Sequence, residues 1–130
     1  MTKSLLSKPL VLAGKRLRNR VAHASMTTHM GYQSHVSDRQ IQYYENRAKG
    51  GAALIVTEPL LMAPHQTNPA RIRVWNDDNL GGLKRWAEAV ESHDCRLLGQ
   101  IQDPGRGHHD AGRNYSALAP SALPDDLSWT

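Results

Sequence analysis

Gly50-Gly51-Ala52-Ala53-Leu54-Ile55-Val56-Thr57 is the stretch of sequence that decides the fold class. Two glycines, which can end a helix, are followed without a spacer by an uninterrupted apolar run rich in β-branched residues. Such a run is typical of a strand buried on both faces in a parallel sheet. We therefore predict a helix that ends at Gly50-Gly51 and a core strand over residues 52–57.

The segment before these glycines has the pattern of an amphipathic helix that begins at Ser37. Residues 37–40 have the spacing of a capping box, in which the serine caps a backbone N–H and the side chain of Gln40 reaches back. Ile41, Tyr44 and Ala48 then fall on one stripe. This stripe is predicted to face the core.

Two further strands and a second helix complete an alternating pattern. Val21–Ser25, which is short and mostly apolar, and Arg96–Ile101 read as buried strands. A helix capped by Asp77 or Asp78 is predicted to run to about His93. Strands that alternate with helices indicate βα units and a parallel sheet, so the fold class is α/β.

The 130 residues, 39% of them apolar, are enough for one domain-sized segment. Residues 1–20 are expected to form a capping hairpin around Ala13-Gly14-Lys15, and residues 21–102 the three strands and two helices. Residues 103–130, rich in Gly, Pro, His, Asp and Ser, are predicted to form a long loop. The loop expected after Pro59, over residues 60–75, exceeds the usual connection length, which suggests a function.

Composition argues against several classes of partner and site. The net charge of +4 is spread along the chain rather than clustered, so no nucleic-acid partner is expected. We find no apolar stretch near the length of a membrane span and no secretory signal, and therefore expect a cytoplasmic protein. The seven histidines lack metal-ligand spacing, so no metal is expected, and His23 is interpreted as a neutral histidine hydrogen-bonded within the core.

Polar residues follow each predicted strand at its carboxyl end. They are Met26-Thr27-Thr28 after the first strand, Glu58 after the second, and Gln100 with Gln102 in the third. Right-handed crossovers bring these ends to one rim, where ligands bind in α/β sheets. The Gln100 amide could pair with a planar heterocycle that offers a carbonyl and an N–H, or with neighbouring backbone. The sequence leaves both interpretations open.

Several motifs, in order over nearly the whole chain, add a family resemblance. They are Pro9-Leu10-Val11-Leu12, Leu17-Arg18-Asn19-Arg20, Ala24-Ser25-Met26-Thr27, Tyr43-Tyr44-Glu45-Asn46-Arg47-Ala48-Lys49-Gly50-Gly51, Leu54-Ile55-Val56-Thr57-Glu58, Trp75-Asn76-Asp77-Asp78, Gln100-Ile101 through Gly105-Arg106, and Ala119-Pro120-Ser121-Ala122. Together they resemble the N-terminal part of the Old Yellow Enzyme family of NADH:flavin oxidoreductases. The resemblance implies the first three βα units of a (β/α)8 TIM barrel.

The resemblance also implies a set of cofactor and substrate positions. The residues that would contact FMN are Ser25, Met26, Thr27, Pro59 and Gln100. Among them Gln100 would hold the flavin pyrimidine edge and Thr27 would lie at the N5/O4 edge, while His29 would stand beside the substrate cavity. This chain departs from the family at Ser25, where proline is common, at Pro59, which has no N–H to donate, and at Asp103, where a histidine is common. These departures indicate a divergent subgroup.

The function implied by the resemblance is hydride transfer between NAD(P)H, FMN and a small organic substrate. That substrate would be an activated alkene or an N-methyl amine. The catalytic residues would lie downstream of Thr130, so the 130-residue chain alone is expected to be inactive. We expect either a missing C-terminal portion or a homo-oligomer. The alternative is a truncated, non-catalytic fragment or subunit that pairs with another chain.

Overall fold

A computed structural model describes residues 4–64, 66, 68–103 and 120–121. Near its start, β1 (Leu10–Leu12) and β2 (Lys15–Leu17) form an antiparallel hairpin that follows a short 3₁₀ turn at Leu5–Ser7. The chain reverses at Ala13 and Gly14, both of which have positive φ angles. The structure thus contains a hairpin at the predicted turn.

The main sheet consists of β3 (Ala22–His23), β4 (Leu54–Leu61) and β5 (Arg96–Gln102). The strands are parallel and lie side by side in chain order. The predicted order and direction are therefore confirmed. Between them run α1 (Asp38–Lys49) and α2 (Leu80–Glu91), as expected for two βα crossovers.

Both helices pack on the sheet around one apolar core. Its buried members are Val36, Tyr44, Ala48, Ala52, Ile55, Leu60, Ile72, Trp86, Val90 and Cys95. Cys95 is a free thiol, and burial raises its pKa to about 11. Among the described residues, no helix is both long and apolar enough to cross a membrane.

The first core strand differs from its prediction. Only Ala22 and His23 of the predicted strand 21–25 pair with β4, and Val21, Ala22 and Ala24 are exposed. Within the described residues β4 is its one neighbour, so β3 is an edge strand. The exposure of its residues shows that the prediction of a strand buried on both faces is wrong.

His23 also departs from the sequence prediction. It is half-buried, packs edge-on against the rings of Tyr43 and Tyr44, and has no partner for its buried Nδ1 in the described part of the chain. The prediction of a neutral histidine hydrogen-bonded within the core is therefore met only in part, because the ring is half-buried and its Nδ1 is unpaired. The pKa of His23 is lowered from its ordinary value, mainly by partial burial and to a smaller extent by the positive charge of Arg47.

Strand β4 continues through Pro59 to Leu61, beyond the predicted strand end at Thr57 and into the loop predicted over residues 60–75. The register with β5 shifts between Val56 and Pro59, so the proline lies at an irregularity where the ladder tolerates a residue without an N–H. Beyond it, Leu61 N–H donates to Ile72 O at 2.8 Å, and Val74 N–H donates to Leu61 O at 2.8 Å. The start of the predicted loop is therefore ordered by pairing with residues 72–74.

Helix α1 begins and ends close to the predicted positions. Ser37 Oγ accepts a hydrogen bond from Gln40 N–H at 3.1 Å, which confirms the serine cap. The side chain of Gln40 does not reach back, because it donates to Glu58 instead. Of the two glycines at the other end, Gly51 has the positive φ of +112°.

Helix α2 has a different cap from the predicted one. The side chain of Asn76, rather than that of Asp77 or Asp78, caps a 3₁₀ turn over Asp77–Asn79, and α2 continues directly from this turn. The helix ends at Glu91, two residues before the predicted end. The predicted long loop lies outside the described residues except for 103, 120 and 121.

Candidate functional site

The side chains of Ser25 and Gln100 meet at the carboxyl rim of the sheet. Ser25 Oγ makes hydrogen bonds to the Thr57 carbonyl oxygen, at 2.7 Å, and to Gln100 Oε1. A hydroxyl carries one proton, so it serves one of these acceptors at a time. Gln100 N–H donates to Thr57 Oγ1 at 3.0 Å. The carboxyl ends of all three strands are thus joined by direct contacts, as expected for parallel strands connected by right-handed crossovers.

Pro59 lies beside Gln100 in the β4–β5 ladder. Its carbonyl oxygen accepts a long hydrogen bond, 3.4 Å, from the Arg71 guanidinium. The Gln100 side chain itself is exposed rather than buried in an apolar strand. In the described part of the chain no acceptor lies on its Nε2, so this amide is open to a ligand.

Met26, Thr27 and His29 follow β3 with exposed side chains, and that of Met26 is 57% exposed. His29 has a φ of +52°, in the left-handed region that residues with a Cβ rarely adopt. The structure therefore places these three predicted positions on one exposed loop next to Ser25.

Glu58, in contrast, is fully buried and its carboxylate is surrounded by protein donors. Oε2 accepts from Thr28 N–H at 2.6 Å, Thr28 Oγ1 at 2.9 Å and His29 N–H at 3.3 Å. Oε1 accepts from Gln40 Nε2. Glu58 therefore holds the rim together rather than facing a ligand.

A second set of contacts joins the segment after β4 to the end of β5. Gln66 Oε1 accepts from the N–H groups of Met62 and Ala63, at 2.7 and 3.0 Å, and Gln66 Nε2 donates to Gln102 O at 3.0 Å. Gln102 Oε1 accepts from Arg71 at 2.7 Å. In the sequence analysis, the length of this segment suggested a functional loop. No local sequence pattern indicated that Gln66 would be buried there.

The groups exposed at this rim match one edge of a flavin ring. The pyrimidine edge of a flavin offers carbonyl and N–H groups in one plane, and an amide can pair with both kinds. Gln100 presents such an amide, and the Thr27 hydroxyl lies on the adjacent loop. The residues present therefore fit the ring of FMN. In the described ranges, no three His, Cys, Asp or Glu residues group into a metal site.

Comparison with known proteins gives a consistent family match. Residues 5–128 match the NADH:flavin oxidoreductase / NADH oxidase family. The chain is 32% identical over 127 residues to a metal reductase of Desulforamulus reducens, covering 96% of this chain and 19% of that protein. It is 36% identical over 112 residues to an NADH oxidase of Thermoanaerobacter brockii, covering 83% of this chain and 17% of that protein.

A solved structure of morphinone reductase is similar in fold. It superposes with a TM-score of 0.79 and 31% identity, covering 92% of this chain and 32% of that chain. The matched part corresponds to the start of a (β/α)8 barrel. The chain thus spans about a fifth of the length of the two curated relatives and a third of this structure.

Proposed function

The chain belongs to the NADH:flavin oxidoreductase / NADH oxidase family, and from this premise we propose that it supplies one edge of the FMN site of an oxidoreductase. The observation that carries the proposal is the contact between Ser25 and Gln100 at the rim. It brings two predicted flavin positions, 75 residues apart in sequence, to one place. The exposed amide of Gln100 then points to a ligand with both donors and acceptors.

In this proposal, different residues of the chain contact different parts of the flavin ring. Gln100 pairs with the pyrimidine edge of the ring, while Ser25, Met26 and Thr27 contact it from the end of β3. Thr27 would lie at the N5/O4 edge of the bound ring, and His29 would lie beside the substrate. When bound, FMN carries a hydride between NAD(P)H and a small organic substrate, an activated alkene or an N-methyl amine.

Pro59 contributes in a different way from the other positions. It has no N–H, so it makes no donor contact with a flavin carbonyl. It is the register partner of Gln100 in the β4–β5 ladder. We assign Pro59 to the wall of the site, where it shapes the binding of the ring.

A second candidate function, a non-catalytic subunit that pairs with another chain, is favoured by the outer edge of β5. Among the described strands none pairs with this edge, and Leu98 and Ile101, both residues of β5, are 55% and 63% exposed. An open apolar edge requires a cover, either from the rest of a barrel or from a partner.

Flavin binding separates the two candidates. FMN is titrated into the full-length gene product and, separately, into the segment 1–130, with flavin absorbance and fluorescence as readouts. We expect the full-length protein to bind FMN and the segment to bind it weakly, because the ring edge alone lacks the charge-assisted contacts to the phosphate. Oxidation of NADH and of NADPH is then followed with activated alkenes, and flavin reduction with N-methyl amines. A full-length protein that binds no FMN would overturn the proposal.

A further inference from the structure

The buried carboxylate of Glu58 connects the flavin-facing loop to helix α1. One oxygen, Oε2, accepts from both the N–H and the hydroxyl of Thr28 and from the N–H of His29. The other oxygen, Oε1, accepts from Gln40, which is itself fully buried. All the hydrogen bonds that reach this carboxylate from the loop therefore converge on one atom.

These bonds act at the residues whose conformation matters for the ring. The N–H of Thr28 and the carbonyl of Thr27 belong to the same peptide group. The 2.6 Å hydrogen bond from Thr28 N–H to Glu58 Oε2 therefore fixes the orientation of the Thr27–Thr28 peptide plane. The next N–H belongs to His29, which is held at a φ of +52°. A left-handed residue with a Cβ persists only where its surroundings enforce it. Glu58 supplies part of that enforcement.

The far side of the loop is fixed by packing. Gly31 N–H donates to Ala70 O at 3.0 Å, and a Cβ at position 31 would lie 2.8 Å from the same oxygen. The loop is thus held by residue 31 at one end and by Glu58 at the other. Thr27 and His29, with exposed side chains, are presented from this fixed backbone.

We propose that Glu58 is a positioning residue: its carboxylate sets the backbone of Thr27, Thr28 and His29, and through it the contacts that Thr27 makes with the flavin and His29 with the substrate. This inference rests on the proposed function. Glu58 does not touch the ring or the substrate. Its effect is exerted through the two N–H groups that it holds.

The test uses the full-length protein and the nearly isosteric variant Glu58→Gln. Hydrogen exchange is measured by mass spectrometry on peptides that span residues 27–31, with and without FMN. We expect exchange in these peptides to accelerate about tenfold or more in the variant, since a neutral amide accepts more weakly than a carboxylate. The FMN dissociation constant and the substrate KM are expected to rise, and the flavin midpoint potential to shift.

Val90→Ala is the matched control for a general loss of stability. Val90 is fully buried in the last turn of α2, which leads back to the start of β5 and so lies at the end of the sheet away from the rim. We expect this variant to unfold at lower denaturant concentration with loop exchange, midpoint potential and KM unchanged. If Glu58→Gln does not fold, Thr28→Val removes the hydroxyl contact with Oε2. Because this variant also removes the acceptor of Met30 N–H, only the exchange of His29 N–H is compared in it.

Each outcome decides one question. Unchanged exchange at residues 27–31 in the variants overturns the role of Glu58. Faster exchange with unchanged FMN affinity, potential and KM shows a structural contact only and also overturns it. If the wild-type protein binds no FMN, the proposed function is wrong, and the role of Glu58 in flavin binding is wrong with it. The exchange data still report whether Glu58 fixes the loop.

Discussion

The phenolic oxygen of Tyr44, on α1, accepts a hydrogen bond of 2.7 Å from the backbone N–H of Glu58, on β4. Thr57 and Glu58 fall where the register with β5 shifts between Val56 and Pro59, so the Glu58 N–H has no ladder partner in β5. A buried N–H without a partner is costly, and the tyrosine supplies the acceptor. The helix therefore stabilises the irregular part of the strand that leads into the rim.

Replacement of Tyr44 by phenylalanine should destabilise the protein without changing the shape of the core. The variant leaves the buried N–H of Glu58 unpaired, at a cost of about 1–3 kcal/mol in the free energy of unfolding. Urea unfolding at neutral pH measures this loss. Tyr43→Phe is the control, because the same oxygen is removed from a partly buried neighbour whose hydroxyl makes no hydrogen bond to another described residue. Equal effects of the two variants would contradict the argument.

The same hydroxyl predicts a dependence on alkaline pH. Burial raises the pKa of Tyr44 to about 12 from an ordinary value of 10.0. Because the unfolded chain loses this proton first, the stabilisation linked to Tyr44 is complete below pH 10 and is lost progressively as the pH rises toward 12. The difference in unfolding free energy between wild type and Tyr44→Phe should therefore shrink over this interval. A constant difference from neutral pH to pH 12 would refute the assignment.

Two glycine-to-alanine substitutions should change the free energy of unfolding in opposite directions. At Gly31 a Cβ would lie 2.8 Å from Ala70 O and 2.9 Å from Ile72 Cδ1, so backbone must move and the protein should lose about 1–3 kcal/mol. At Gly81, within α2, a Cβ meets nothing within 4 Å, so the gain in helix propensity should add up to about 1 kcal/mol. Chemical denaturation of both variants checks the pair. A neutral Gly31→Ala would show that the loop is not packed as described.

The elements that could be predicted from sequence are those with local signals. The stripe on α1 and the apolar run of β4 are read from neighbouring residues, and the cap at Ser37 depends on residues within one turn. The convergence of the strand ends at one rim was also predictable, because parallel strands bring their carboxyl ends together. The hydrogen bond between the side chains of Ser25 and Gln100 was not predicted.

The remaining features depend on partners that no local pattern reveals. Gln40 has the spacing to reach back to its own helix, but the buried carboxylate of Glu58 is a stronger acceptor and takes its side chain. Pro59 normally signals the end of a strand, yet residues 72–74 pair with the chain beyond it. The exposure of β3 reflects which strands lie beside it in the described residues, and the sequence of the predicted strand 21–25 does not encode this.

Gln100→Leu in the full-length protein is the sharpest test of the site itself. The variant keeps the approximate volume of the side chain but removes its donor and acceptor, which leaves flavin groups unpaired at about 1–3 kcal/mol each. FMN affinity should fall, and the midpoint potential should fall with it, because the lost hydrogen bonds stabilise negative charge on the reduced ring. Ser25→Ala is the companion variant: it removes the hydroxyl that contacts Gln100 but keeps the amide, so its effect on affinity should be smaller. The FMN dissociation constant and midpoint potential are measured beside the melting temperature. If Gln100 only satisfies the neighbouring protein groups, Gln100→Leu lowers the melting temperature while both flavin properties stay at their wild-type values.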